Sequence, residues 1–209
     1  MKEGQDFATC LLANGVEARV EVRSTLELRV GALAASLPYP DRGLAWVGLS
    51  ASPSGRYVVL QHCSGQGEES YAVFDLRGGL SSPARRDYVY GETNSIGFDA
   101  SERFAVAAIP GRCVEWWQGF EEVDGEDEAG RTYFDFGLLA THDLEQATCS
   151  ETLLRIWAQD GWASKQATYD PLLKPRFASA DSLEIALPWG RETFLFPLAD
   201  VVWLRPPTT

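Results

Sequence analysis

The chain has 209 residues, of which 45% are hydrophobic and 11% aromatic, so it can form a buried core and is not expected to be disordered throughout. Its 30 acidic and 18 basic residues give a net charge of −12, which repels nucleic-acid phosphates and anionic membranes. We therefore expect neither nucleic acid nor membrane as a partner. Small molecules, metal ions or a basic protein suit this charge better.

Length and cysteine spacing indicate one cytoplasmic domain spanning residues 1–209. No apolar run approaches the roughly 20 residues that span a bilayer, and the apolar stretch near the N-terminus breaks at Asn14-Gly15 before it reaches signal-peptide length. The cysteines show no C-x-x-C spacing, which favours reduced thiols. They are Cys10, Cys63, Cys113 and Cys149.

Residues 16–31 are predicted to form two strands. Val16 to Arg23 alternates apolar with charged residues, and the same alternation continues from Leu26 to Val30 after Ser24-Thr25. A period of two residues is typical of a sheet with one solvated face.

A repeated pattern of strand, tight turn, strand, loop and strand follows. The first unit covers about 45–76, with the turn Ser52-Pro53-Ser54-Gly55 and a third strand ending at Asp75-Leu76. Proline presets a φ near −65° and glycine tolerates a positive φ, so both suit this turn. Such a unit is what an antiparallel meander requires.

Two further units resemble the first. The second covers about 94–144, and its Arg103 occupies the place of Arg56. The third covers about 175–198 and is the most degenerate copy. Between them, a helix is predicted over about 149–159, because Thr148 and Glu151 fit a capping box and Gly161 follows as a stop signal. Leu153, Leu154 and Trp157 would share one face of this helix.

The Ser-Pro-Ser-Gly-Arg-Tyr turn at 52–57, with the aromatic-Asp-Leu strand end at 74–76, resembles a blade of TolB-like or WD-repeat β-propellers. The Gly-His and Trp-Asp signature of WD repeats is absent from the sequence. The resemblance implies a mainly β fold of consecutive antiparallel meanders, propeller-like or a partial propeller, with the one helix inserted. A two-sheet β-sandwich is the alternative.

The candidate binding residues lie in the segment 116–128, which is predicted to link two strands of the second unit. Six of the eight residues from 121 to 128 are acidic, directly after a cluster of aromatic residues. One interpretation is a partner-binding loop, and the other is a solvated hairpin tip beside buried tryptophans. The residues concerned are Trp116, Trp117, Phe120, Glu121, Glu122, Asp124, Glu126, Asp127 and Glu128.

No cofactor or metal site is expected. From Asp124, the sixth position of an EF-hand loop would be Ala129 instead of glycine, and zinc-ligand spacings and phosphate-binding glycine loops are missing from the sequence. The pairs His62-Cys63 and His142-Asp143 lack a nucleophile motif, and neighbours on a strand point to opposite faces. We therefore predict structural histidines and no catalytic residue.

These features predict a non-enzymatic protein-binding module. An immunity-like or antitoxin-like inhibitor of a basic partner protein is one concrete version of this hypothesis. The alternative is a hydrolase or lyase for a small molecule or saccharide, using carboxylates with His62 or His142. A third hypothesis is a subunit whose open sheet edges pair with another copy or another protein.

Overall fold

The computed structural model describes residues 7–38, 43–64, 68–89, 96–110, 125–157, 174–179, 182–187, 190–195 and 201–203, and every regular element within them is a β-strand. This part of the chain holds no helix long and apolar enough to cross a bilayer. The chain divides into two compact units, Met1–Val89 with Leu144–Thr148, and Tyr90–Asp143 with Cys149–Thr209. The prediction of a single domain stays a prediction.

The first sheet is an antiparallel meander of four strands in chain order. It contains the two strands predicted within 16–31 and one further strand on each side of them. Alternation places one set of side chains in the core and the other on the outer face. The strands are β1 (Phe7–Leu11), β2 (Glu17–Val22), β3 (Thr25–Val30) and β4 (Leu33–Pro38).

The second sheet, also in the first unit, is a four-stranded antiparallel meander in chain order. Its middle strands are buried on both faces, which explains their continuous apolar sequence, for example Val58-Val59-Leu60. Val58 and Leu60 share one hydrophobic core with Val20 and Leu28 of the first sheet. The strands are β5 (Leu44–Ala51), β6 (Tyr57–Ser64), β7 (Glu68–Asp75) and β8 (Ser81–Val89).

The third sheet, in the second unit, has a four-stranded meander in chain order, and one short further strand pairs with the third strand of this meander. Its third strand ends at Asp143, one residue before the end predicted for the second repeat unit. The strands are β9 (Ile96–Phe98), β10 (Phe104–Pro110), β11 (Gly125–Glu126), β12 (Thr132–Asp143) and β13 (Thr148–Trp157).

The helix predicted over 149–159 is wrong, because Thr148–Trp157 forms strand β13. Thr152 and Leu154 are buried while Leu153 and Arg155 are only half-buried, which is the period of a strand. Pairing with β12 supplies the backbone hydrogen bonds that an isolated helix would otherwise have made internally. Tertiary pairing therefore outweighs the capping-box signal at Thr148 and Glu151.

The fourth sheet corresponds to the degenerate third repeat and has only three antiparallel strands. They are β14 (Lys174–Ser179), β15 (Ser182–Leu187) and β16 (Gly190–Leu195). The strand that follows, β17 (Val201–Trp203), does not extend this sheet. It pairs in parallel with β13, opposite Leu153 to Arg155, and so becomes the outer strand of the third sheet.

The turns Ser52–Tyr57 and Asp99–Phe104, which join the first two strands of the two clearest repeats, have the same hydrogen bonds. In each, the N–H of the first residue donates to the carbonyl of the last, at 3.0 and 3.1 Å, and the first side chain accepts from the last N–H, at 3.0 and 2.7 Å. The fourth residue, Gly55 or Glu102, has a positive φ of 75° or 56°. The two turns therefore adopt one conformation despite different sequences.

Arg56 and Arg103, which the sequence placed at matching positions, make matching contacts. Arg56 donates through Nε to Asp75 Oδ1 at 3.4 Å and through Nη2 to Oδ2 at 2.8 Å. Arg103 donates through the same two nitrogens to Asp143 Oδ2 alone, at 3.1 and 2.6 Å. Each aspartate ends the third strand of its meander, so the arginine fastens this strand end to the turn between the first two strands. Each guanidinium also lies over the ring of the next residue, Tyr57 at 4.6 Å and Phe104 at 4.9 Å.

Candidate functional site

The predicted binding segment lies between the two middle strands of the third sheet, since β10 ends at Pro110 and β12 begins at Thr132. Its last part is described by the structure: Glu126 lies on β11, and Asp127 and Glu128 follow in the turn to β12. Glu126 and Glu128 are exposed. The other predicted residues lie outside the described residues, namely Trp116, Trp117, Phe120, Glu121, Glu122 and Asp124.

Asp127 holds the turn together. Its Oδ1 accepts hydrogen bonds from the backbone N–H groups of Ala129 and Arg131 at 3.0 and 2.8 Å, and its Oδ2 accepts two from the Arg131 guanidinium at 2.8 and 2.6 Å. These hydrogen bonds hold the pKa of Asp127 below its usual value. The bond from the Arg131 backbone has the largest effect, and those from the Arg131 side chain come next. Asp127 is thus an anchor of the turn, unlike its exposed neighbours.

Three strands of the third sheet place an aromatic–arginine cluster beside this turn. The indoles of Trp157 and Trp203 stack with centroids 3.8 Å apart and planes inclined by 9°. Tyr133 meets Trp203 edge-on at 5.5 Å. The Arg131 guanidinium lies 4.1 Å from the centre of the Trp157 ring, and that of Arg155 lies 4.2 Å from the centre of the Tyr133 ring. These five residues define the cluster.

The strand arrangement explains how distant residues meet in the cluster. Arg155 and Trp157 are two residues apart on β13 and therefore share a face, and Arg155 lies opposite Trp203 in the register of β13 and β17. The Tyr133 ring packs directly against Gly125 and fills the space that a Cβ at position 125 would need. The parallel addition of β17 is therefore what completes the cluster.

The cluster is partly exposed and is tied to the acidic segment. Trp203 keeps 36% of its surface accessible, and Arg131 is exposed. Arg131 binds the Asp127 carboxylate and covers Trp157 at the same time, which links the end of the segment to the rings. The stacked rings and the cation–π contacts pack these side chains against one another at the surface.

Sequence reasoning missed all five cluster residues as candidate site residues: Arg131, Tyr133, Arg155, Trp157 and Trp203. Interpreting 149–159 as a helix put Arg155 and Trp157 on different faces, whereas a strand puts them on one. Predicting a strand for this segment would have placed Arg155 and Trp157 side by side on one face. The contribution of Trp203 depends on a pairing between strands distant in sequence, which no local pattern contains.

Arg103 binds the carboxylate of Asp143, the residue that follows His142 in the sequence. His142 is 4% exposed, and its Nε2 lies 4.0 Å from Cys149 Sγ across the hairpin of β12 and β13. His62 lies half-buried on β6. The prediction of structural histidines stays a prediction.

The chain matches no protein-family model and no curated protein. Among solved structures, it is similar to a chain of a mitotic checkpoint complex and to the Dos1 propeller, with 8% and 10% identity and a TM-score of 0.48 for each. These matches cover 97% and 93% of this chain but 49% and 45% of the others, so the chain spans about half their length. An uncharacterized protein from Listeria monocytogenes matches with 13% identity and a TM-score of 0.35, over 93% of this chain and 68% of its own.

The fold is propeller-like. Consecutive antiparallel meanders follow one another in chain order, three of them with four strands, as in the blades of β-propellers. The recurring turn and its arginine clasp give two of these meanders the same local structure. The predicted fold class of consecutive antiparallel meanders is therefore confirmed, apart from the helix.

Proposed function

We propose that this protein is a non-enzymatic binding module for a basic partner protein, and that the aromatic–arginine cluster with the adjoining acidic segment forms its binding surface. The observation that carries the proposal is the partly exposed stack of Trp157 and Trp203 beside the exposed Glu126 and Glu128. Tryptophan, tyrosine and arginine are the residues that most often dominate binding energy at protein interfaces.

Charge supports a basic partner. Residues 111–131 contain seven acidic and two basic residues, so this short stretch contributes much of the chain's excess negative charge. Clustered carboxylates speed the encounter with a cationic surface, and the rings beside them supply apolar area once contact is made. An inhibitor of a basic toxin, of the immunity or antitoxin type, is the specific form of this proposal, and the net charge of −12 is its support.

The test is to isolate the partner from a lysate of the native host and to measure its affinity for three variants. Trp203→Ala removes the exposed ring, and Glu126→Lys with Glu128→Lys reverses the exposed carboxylates while keeping Asp127 to hold the turn. We expect each to weaken binding by about tenfold or more, equal to about 1.4 kcal/mol. The third variant, Glu17→Lys with Glu145→Lys, is a matched control at exposed carboxylates away from the cluster and should bind normally.

Salt gives a second measurement of the same surface. Binding of the wild type should weaken as ionic strength rises, and the Glu126→Lys, Glu128→Lys variant should lose part of this dependence. Unchanged affinity in both Trp203→Ala and the double reversal, with native circular dichroism, would reject this surface as the binding site.

A further inference from the structure

The outer face of the first sheet carries an ordered pattern of charge. Alternation along the strands turns Glu17, Arg19 and Glu21 of β2 and Glu27 and Arg29 of β3 away from the core. On the edge strand β1 the same alternation leaves Phe7 44% and Leu11 71% exposed. The face thus combines charged rows with apolar side chains at one side.

The register sorts these charges into rows of equal sign. Arg19 lies directly opposite Arg29, and Glu21 lies directly opposite Glu27, so a basic row runs beside an acidic row across β2 and β3. Like charges directly opposite each other on a sheet are unfavourable. Ion pairs between the rows offset part of this cost, with Arg19 Nε 3.1 Å from Glu21 Oε1 and Arg29 Nη2 3.6 Å from Glu27 Oε2.

Beyond the acidic row, Arg23 extends the pattern. It donates to Glu21 at 2.8 Å and keeps most of its side chain exposed. Its hydrogen bond is the main cause that holds the pKa of Glu21 below the usual value, with the charges of Arg19 and Arg29 acting in the same direction. Glu17, Arg19 and Glu21 on β2, with Arg23 directly after its end, therefore alternate in sign.

The charges of the first sheet balance, although the whole chain is acidic. Residues 7–38 contain three glutamates and three arginines and no other charged residue, so their net charge is zero, while the whole chain carries −12. Two copies of an acidic protein repel each other on average. Between two copies of the first sheet this repulsion is small, because residues 7–38 carry no net charge.

We infer that this face binds a second copy of the same chain. The two copies would be related by a two-fold axis in the plane of contact. This axis runs between the basic and the acidic row, perpendicular to the strands. It places each row over the row of opposite sign in the other copy. Arg19 then faces Glu21, Arg29 faces Glu27, and Glu17 faces Arg23. All six charges find an opposite charge, while Phe7 and Leu11 on β1 add apolar area to the contact.

This dimer is independent of the proposed partner-binding surface, because it involves only residues 7–38. Variants of this face should therefore leave the affinity for a basic partner protein unchanged. Loss of partner binding through Trp203→Ala would in turn say nothing against the dimer.

Sedimentation velocity over a concentration series of the full chain tests the inference. We expect the wild type to dimerise, and Arg19→Glu with Arg29→Glu to raise the dissociation constant by about tenfold or more, because both rows then become acidic. Adding Glu21→Arg and Glu27→Arg to this variant exchanges the two rows and should restore the dimer. Arg77→Glu with Arg176→Glu changes net charge equally at exposed arginines elsewhere and is the matched control.

Two results would overturn the inference. One is a wild-type chain that stays monomeric at every concentration, even if the same face is found to bind a different protein. The other is a row-exchanged variant that has native circular dichroism and still does not dimerise.

Discussion

Three residues other than glycine have a positive φ in the described part of the chain: Leu80, Glu102 and Ala147. Ala147 has φ 53° and stands four residues after Asp143, at the place that Gly79, with φ 71°, holds after Asp75. The turn after the third strand therefore has a left-handed residue at this position in both meanders, glycine in one and alanine in the other. For alanine this conformation brings Cβ too close to the backbone.

We predict that Ala147→Gly stabilises the protein. Glycine relieves the left-handed strain at this exposed position, and we expect the free energy of unfolding to rise by about 0.5–1 kcal/mol. Urea denaturation followed by circular dichroism measures it. Ala100→Gly is the matched control, since Ala100 is also an exposed turn alanine but has no positive φ, and it should lower stability slightly. Equal effects of the two substitutions would contradict the strain at Ala147.

The clasp of Arg56 and Asp75 makes stability depend on pH. Burial alone raises the pKa of the Asp75 carboxyl, but hydrogen bonds from the Arg56 side chain and the Arg77 backbone outweigh it and hold the pKa below its ordinary value of 3.8. The stabilising contribution is therefore complete above pH 3.8 and is lost as the pH falls through the lower folded-state pKa. The two side chains are only 19% and 14% exposed, so solvent screens the pair little.

We predict that Asp75→Asn lowers the free energy of unfolding by about 2 kcal/mol at neutral pH, the value of a hydrogen-bonded pair with charged partners. As the pH falls below about 4 toward the lower folded-state pKa, the difference from the wild type should shrink, because the carboxyl protonates first in the unfolded chain and then in the folded protein. Urea midpoints measured along a pH series provide the check. Glu128→Gln, at an exposed carboxylate, is the control and should change the free energy of unfolding little at any pH. If Asp75→Asn lowered the free energy of unfolding equally at every pH, the result would argue against the clasp.

At the scale of elements, β13 provides the clearest prediction. In a strand Leu154 points into the core, where it is 0% exposed, while Leu153 on the opposite face is half-buried. Leu154→Ala should therefore lower the free energy of unfolding by about 2–4 kcal/mol, and Leu153→Ala should lower it clearly less. A helix would have placed both on one face with similar costs. Chemical denaturation of the two variants separates these arrangements.

Other strands were missed for a related reason. Strand β8 contains Pro83 within Ser81-Ser82-Pro83-Ala84, a sequence typical of a loop. It is nevertheless the outer strand of the second sheet, and its register with β7 shifts between Val73 and Asp75. An edge strand tolerates proline because one side of its backbone needs no ladder partner. Position in the sheet, and not local propensity, made this segment a strand.

At the scale of the whole molecule, charge is distributed unevenly along the chain. Residues 7–38 are neutral, whereas residues 111–131 have an excess of five negative charges. The two proposed surfaces follow from this difference. A neutral face with rows of opposite sign suits a second copy, and an acidic segment beside exposed rings suits a basic partner. Long-range attraction acts on the acidic surface, while short-range pairing acts on the neutral sheet.

The sequence by itself determined the strand-rich meanders, the shared turn with its arginine, and the place of the acidic segment between two strands. These features depend on residue type and on neighbours a few positions away, which a pattern contains. Only the tertiary structure decided that 148–157 is a strand, that Trp203 stacks on Trp157, and that arginines and glutamates form rows on the first sheet. Each of these depends on pairing between segments far apart in the chain, and the register of such pairing is set by packing that local sequence does not encode.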